Sequence, residues 1–251
     1  MAPKKIILIT GANQGIGFES AATIAAASSD YHVIIGSRNP ERGAKALEEL
    51  QAKNPAGTLS LLVLDITSDE SIKAASEKIA ADFGVLDVLI NNAGMIITNP
   101  KDRRSELVET FNTNAASPLV LTEALIPLLK KSNDARIINV STSLSSLSER
   151  TDPSSEYYMV RSEAYRISKA ALNMATAYIM FDNRSWGAKV WAYCPGYVVT
   201  NLTGEEDRQT RLDQGADDPR TSAQGLLEIV VGKRDGEVGK FIGRNGLQIE
   251  W

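Results

Sequence analysis

A single cysteine and a single histidine occur among the 251 residues, and the lack of a second of either removes two kinds of chemistry. Cys194 cannot close an internal disulfide, which fits a reducing compartment, and it reads as a small buried hydrophobe. His32 has no other His or Cys with which to build a metal centre, so it reads as structural and no metal is expected. Charge of one sign is not in surplus either. Against 31 Asp and Glu stand 27 Lys and Arg, a net charge of -4 with no basic stripe, which excludes a nucleic-acid partner that neutralises phosphates. Long apolar runs are missing too. The opening MAPKKIILITGANQG stops being apolar at Gly11, too soon for a membrane span or a secretory signal. A soluble, cytoplasmic chain with no membrane partner is expected.

What is present is an alternation. The short runs KKIILIT, HVIIGS, LSLLVLD, LDVLIN, ARIINVS, AKVWAYC and KFIG read as strands, and amphipathic stretches such as ERGAKALEELQAK and SDESIKAASEKIAADFG lie between them. Each strand is followed by enough chain for a helical crossover, so the strands are expected to pair in parallel with helices on both faces. The fold class is α/β: one domain over residues 1–251, a Rossmann-type doubly wound parallel sheet of about seven strands. Asn39 followed by Pro40 reads as an N-cap with a first-turn proline, and Thr67 to Glu70 as a capping box. The polar stretch at 203–220, TGEEDRQTRLDQGADDPR, is longer than an ordinary connection and reads as a substrate lid or a solvated excursion.

The first strand runs into TGANQGIG, Thr10 to Gly17, and then into a helical stretch. Glycines 11, 15 and 17 let the backbone turn sharply and approach a ligand closely, while the following helix offers free amides to an anion. The pyrophosphate of a dinucleotide is the natural occupant. At the end of the second strand the chain reads GSRN, with no carboxylate to grip a ribose diol but with Arg38 able to hold a 2′-phosphate. This favours NADP(H) over NAD(H).

Four motifs in order, TGANQGIG, NNAG at 91–94, YRISK at 165–169 and PGYVVT at 195–200, give the chain a resemblance to the short-chain dehydrogenase/reductase family over nearly its whole length. GSRN and the ending VGKFIGRNGLQIEW resemble its NADPH-dependent carbonyl reductase branch. The resemblance implies that Tyr165 and Lys169 are catalytic and also touch the cofactor. Physics agrees: four apart on a helix, the two share a face, and an adjacent ammonium together with the positive nicotinamide ring of the oxidised cofactor is expected to lower the phenol's pKa towards the working range. Tyr157 and Tyr158 have no lysine four residues on and read as substrate-side or packing residues.

The family's third catalytic group is a hydroxyl at the end of the fifth strand. In NVSTS its place falls on Thr142, a departure from serine, with Ser143 the alternative. Strand side chains alternate faces, so only one of the two is expected to face the cleft. Asn114 matches the asparagine whose main-chain carbonyl holds a relay water in the family. Pro118, four residues on, has no amide to give that carbonyl, so a kinked helix with a free acceptor is expected there.

The resemblance further implies that Gly11, Asn13, Gln14, Gly15, Ile16 and Gly17 form the phosphate turn. Asp65 and Ile66 would flank the adenine, with a helix cap as the other reading of Asp65. Asn91, Ala93 and Gly94 would line the ribose, and Pro195, Gly196, Val198 and Thr200 the nicotinamide amide. The expected activity is reduction of a ketone or aldehyde to an alcohol with NADPH, Tyr165 donating the proton. The partner is then a small-molecule carbonyl or alcohol substrate. NADP-dependent alcohol oxidation and a non-catalytic nucleotide sensor are the alternatives. SERTDPSSEYY, between Thr142 and Tyr165, would rim the pocket or alter a helix face used for self-association, which leaves a homo-oligomer open.

Overall fold

The computed structural model describes residues 4–204 and 206–251; Met1 to Pro3 of the opening run and Glu205 of the expected lid lie outside the described residues. The strands are β1 (Lys5–Ile9), β2 (Tyr31–Ser37), β3 (Thr58–Val63), β4 (Val88–Asn91), β5 (Arg136–Val140), β6 (Lys189–Cys194) and β7 (Phe241–Gly243). All pair in parallel in one sheet of order β3-β2-β1-β4-β5-β6-β7. The helices are α1 (Gly15–Ala27), α2 (Pro40–Gln51), α3 (Asp69–Asp82), α4 (Arg103–Phe111), α5 (Ser117–Leu129), α6 (Leu147–Thr151), α7 (Glu163–Asn183), α8 (Arg208–Asp213) and α9 (Pro219–Val230). The doubly wound α/β architecture expected from the alternation is the one observed.

Strand alternation divides the interior into two cores. Ile6 and Leu8 of β1 face one way, onto Ile72 and Ile79 of α3, Leu121 and Leu125 of α5 and Ile179 of α7. Ile7 and Ile9 face the other, onto Ile24 of α1, Leu50 of α2 and Leu226 and Ile229 of α9. Each such side chain contributes about 1.5–3 kcal/mol by leaving water, and truncating Ile9 to alanine would cost about 2–5 kcal/mol. Because both faces are covered, the strands are apolar throughout rather than alternating with polar residues.

Local signals are realised with one correction. Asn39 Oδ1 accepts the Arg42 amide at 2.8 Å and Pro40 opens α2, as the sequence suggests. The capping box expected at Thr67 is not formed. The N-cap is Ser68, whose Oγ accepts the Ser71 amide at 3.2 Å and donates to Glu70 at 3.0 Å. Thr67 is engaged elsewhere, giving both its amide and its hydroxyl to Asp65 Oδ1. His32 binds Thr58 Oγ1 at 2.7 Å and Ser60 Oγ at 2.8 Å, fastening β2 to β3. Among the described residues no helix is long and apolar enough to cross a membrane.

Candidate active site

The chain leaves β1 towards β2 on one side of the sheet and continues from β4 on the other, so a crevice opens above the carboxyl ends of these neighbours. The turn after β1 is built for close approach. Gly11 and Gly15 have φ of 63° and 57°, in the left-handed region that favours glycine. A Cβ on Gly17 would lie 2.5 Å from Asn92 Nδ2 and 2.6 Å from the Gly11 carbonyl, so no other residue fits. At Gln14, the N-cap of α1, no side chain caps the helix and its first turn holds no acid. Its first amides are therefore left to an anion. Asn13 and Ile16 are half-buried in this turn and Gln14 is exposed.

Thr10, which opens the glycine turn, and Asn92, within the stretch expected at the ribose, hold the turn in place. Thr10 Oγ1 accepts the amides of Asn92 and Ala93, each at 3.0 Å, and Asn92 Nδ2 donates to the Thr10 carbonyl at 2.8 Å. The doubled asparagine of NNAG was the available signal. Its first member does a different job: Asn91 Nδ2 donates to Thr122 Oγ1 and Asn139 Oδ1, and Asn139 Nδ2 to Thr176 Oγ1. This ladder ties β4 and β5 to α5 and α7, and at 2 % exposure the Asn91 side chain faces the interior. Ile66 likewise packs its side chain into the core.

Arg38 stands exposed just past the end of β2 and forms no hydrogen bond or ion pair among the described residues. Its charge reaches Asp65, past the end of the adjacent β3. Asp65 lies below the usual carboxylate range, held there first by the Thr67 hydroxyl and amide, with Arg38 a smaller cause. Asp65 thus closes the turn that precedes α3.

Tyr165 and Lys169 sit on the first turns of α7. Lys169 Nζ lies 6.0 Å from the centre of the Tyr165 ring and donates to the Val140 carbonyl at 2.7 Å. A Cβ on Gly94 would sit 3.5 Å from Lys169 Nζ and 3.3 Å from Asn114 Oδ1, so the ammonium, Gly94 and Asn114 meet at one place. Burial brings Lys169 down to about 8. The lowering expected from the lysine and the oxidised nicotinamide together is not produced by the chain's own groups. Burial pushes Tyr165 up, Cys194 adds to the rise and Arg211 opposes it. The cause is burial, which disfavours the charged phenolate more than the surrounding groups favour it.

Asn114 works through its side chain as a strut. Its Nδ2 donates to the Met95 carbonyl at 2.9 Å and to Ser168 Oγ at 3.0 Å, and its Oδ1 accepts the Met95 amide at 2.8 Å. This clamps the loop after β4 to α7. The break expected at Pro118 takes the form of a π-turn over Asn112–Ala116, in which the Ser117 amide reaches back to the Asn112 carbonyl.

Thr142 and Ser143 part company at the end of β5. Thr142 is extended, with φ −162° and ψ 147°, and is half-buried, its Oγ1 accepting the Leu144 amide at 3.3 Å. Ser143 is turned inward, its amide and hydroxyl each 3.2 Å from Cys194 Sγ. Ser141, Ser145 and Asn173 form a polar scaffold behind the turn, with Ser145 Oγ donating to the Thr142 carbonyl at 2.6 Å. Tyr157 is partly buried, its phenol pushed up to about 12 by burial first and by Glu156 next.

The segment after β6 turns at Gly196, φ 80°, and brings Thr200 beside the glycine turn, 3.6 Å from a Cβ placed on Gly15. Pro195 and Val198 are buried, the Pro195 carbonyl accepting from Ser222 Oγ at 2.8 Å. The stretch beyond holds α8, and Arg211 donates to the Val198 carbonyl at 3.1 Å while the Asp217 carbonyl accepts the Val199 amide at 2.9 Å. The polar excursion is thereby pinned over the 197–200 segment.

A doubly wound sheet with a glycine turn, an uncapped helix and a tyrosine–lysine pair at its crevice defines a nucleotide-binding oxidoreductase frame. The family model described as short chain dehydrogenase matches residues 5–211. The short-chain dehydrogenase/reductase tropE of Talaromyces stipitatus is 31% identical, over 98% of this chain and 97% of that protein. Among solved structures, NADPH-bound carbonyl reductase from chicken fatty liver aligns with TM-score 0.84 at 29% identity, covering 100% of both chains. Carbonyl reductase Sniffer of Drosophila melanogaster aligns with TM-score 0.81 at 29% identity, covering 99% of this chain and 100% of that one. The chain belongs to the short-chain dehydrogenase/reductase family of oxidoreductases.

Proposed function

We propose that the chain reduces a ketone or aldehyde to an alcohol with NADPH, Tyr165 supplying the proton. The observation that carries this reading is the meeting of Tyr165, Lys169 and the end of β5 in one crevice, with Lys169 Nζ bonded to the Val140 carbonyl at 2.7 Å. The residues present fit the cofactor. The cradle at Gly17 would be filled by a Cβ, the first turn of α1 offers uncapped amides for the pyrophosphate, and Arg38 is an exposed guanidinium, unpaired among the described residues, for the 2′-phosphate. The NADPH named for the chicken carbonyl reductase supports the same choice.

When bound, the nicotinamide supplies a hydride to the carbonyl carbon. The remaining steps belong to the chain. Thr142 Oγ1 donates to the carbonyl oxygen and fixes its direction, while Tyr165 gives that oxygen its proton as negative charge develops. The Lys169 ammonium holds the nicotinamide ribose and compensates charge on the phenolate. The Asn114 carbonyl, which Pro118 cannot satisfy, holds the water that returns a proton through Lys169. Residues 203–220 close over substrate.

A panel of activated ketones and aldehydes, followed by nicotinamide absorbance with NADPH and with NADH, tests the proposal. NADPH-dependent turnover is expected. Nucleotide binding without turnover of any carbonyl or alcohol would favour the sensor reading, and a clear NADH preference would overturn the cofactor assignment.

A further inference from the structure

Arg244 follows β7 directly. The turn that carries it is closed by the Gly243 amide on the Leu247 carbonyl at 2.6 Å and by the Ile249 amide on the Phe241 carbonyl at 2.9 Å. Gly243 pairs with Cys194, the last residue of β6, so Arg244 leaves the sheet beside the turn at 195–196. Its guanidinium lies against that turn. A Cβ placed on Gly196 would meet Arg244 Nε at 2.8 Å, Cζ at 3.0 Å and Cδ at 3.3 Å. Gly196 is therefore held to glycine twice over, by its φ of 80° and by the arginine packed on it.

The same guanidinium joins the two supports of the segment that follows. Arg244 Nη2 pairs with the Asp217 carboxylate, and Nη1 donates to Thr221 Oγ1 in the first turn of α9. Asp217 gives its amide to the Tyr197 carbonyl at 3.0 Å and takes the Val199 amide at 2.9 Å. From α9, Ser222 Oγ reaches the Pro195 carbonyl at 2.8 Å. An ion pair to a half-exposed carboxylate such as Asp217 would by itself fix little. Here the arginine side chain is only 16 % exposed, its planar fork meets two partners, and its stem end packs on the turn between them.

We propose that Arg244 is a positioning residue for the nicotinamide end of the cofactor: by pressing on Gly196 and holding Asp217 and Thr221, it sets the course of residues 195–199 along the ring. The inference rests on the reductase reading, in which that segment borders the nicotinamide. The glycine turn and Arg38 lie past β1 and β2, so Arg244 acts on the ring and not on the adenosine half of the molecule.

The test measures binding of NADPH and of 2′-phospho-ADP-ribose, the same nucleotide without its nicotinamide, by titration calorimetry in the wild-type chain, Arg244→Met and Arg244→Lys. Single-turnover hydride transfer to an activated ketone is followed alongside. Arg244→Met is expected to bind the ring-less nucleotide as the wild type does and NADPH about tenfold more weakly. Hydride transfer should slow by about a hundredfold, the scale for a displaced reacting group. Arg244→Lys keeps a cation for Asp217 without the planar fork, and should show the same selective loss at smaller size. Equal weakening of both nucleotides, as a general loosening of the fold would give, overturns the proposal, and so does an unchanged NADPH affinity. If Arg244→Met does not fold, Arg244→Lys decides by the same comparison. A selective loss for NADPH in a chain that turns over no carbonyl keeps Arg244 in this role and overturns the reductase reading instead. A wild-type chain that binds neither nucleotide overturns both.

Discussion

Lys169 donates to the Val140 carbonyl at 2.7 Å, so the ammonium that shares a helix face with Tyr165 is anchored to the strand end that leads into Thr142. Two elements far apart in sequence thus fix one another's chemistry, and the charge of Lys169 becomes the variable that pH controls.

Burial brings Lys169 down to about 8, from an ordinary lysine value of about 10.4. Between these values the folded chain binds fewer protons than the unfolded one. The cost of burying the ammonium is therefore greatest below pH 8 and fades as pH rises through the unfolded value. Activity runs the other way, because the ammonium is the working form. The kcat/KM for ketone reduction is predicted to fall above pH about 8, without a loss of melting temperature from this group over the same window. Lys169→Met, which has no ammonium, should lower kcat/KM across the range and remove the alkaline limb. A profile that stays flat to pH about 10 would count against the assignment.

Arg38 is predicted to govern the choice of cofactor. Loss of a charge-assisted contact to phosphate is worth about 1.5–3 kcal/mol, so Arg38→Ala should raise KM for NADPH roughly 10- to 100-fold and leave KM for NADH unchanged. Equal effects on both cofactors would show that Arg38 is only a surface charge.

Much of the frame is legible in the residues because it follows from local patterns. The strand runs, the crossovers, the Asn39–Pro40 cap and the glycine turn all depend on neighbours in sequence. What was not legible depends on side chains meeting across the fold. Asn91 looks like a cleft residue until Thr122 and Asn139 claim its amide. The capping box at Thr67 fails because Asp65 takes that hydroxyl and Ser68 caps instead. The direction of the Tyr165 shift depends on how deeply the fold buries the phenol, and the spacing of four residues does not contain that information.

Thr142 and Ser143 are predicted to separate cleanly. Ser143 is 8 % exposed and bonded to Cys194, whereas Thr142 is half-buried. Thr142→Ala should lower kcat by about a hundredfold, the scale for removing one donor to a developing oxyanion. Thr142→Ser should retain activity. Ser143→Ala should change kcat little and act on melting temperature instead, and the reverse pattern would transfer the role to Ser143.

Gly17→Ala is predicted to destabilise the chain and to weaken NADPH binding. The added methyl would sit 2.6 Å from the Gly11 carbonyl and 2.5 Å from Asn92 Nδ2, and relieving it means moving the phosphate turn itself. Overpacking of this kind costs about 1–3 kcal/mol. Thermal unfolding with and without NADPH would register both effects, and an unaltered cofactor-induced shift in melting temperature would show that the turn does not hold the nucleotide.

The most direct measurement is single-turnover oxidation of bound NADPH by an activated ketone in the wild-type chain and in Tyr165→Phe. The account predicts that the variant still binds NADPH with wild-type affinity but transfers hydride about a hundred- to ten-thousandfold more slowly, the contribution of a positioned proton donor. Equal single-turnover rates in the two proteins would contradict it.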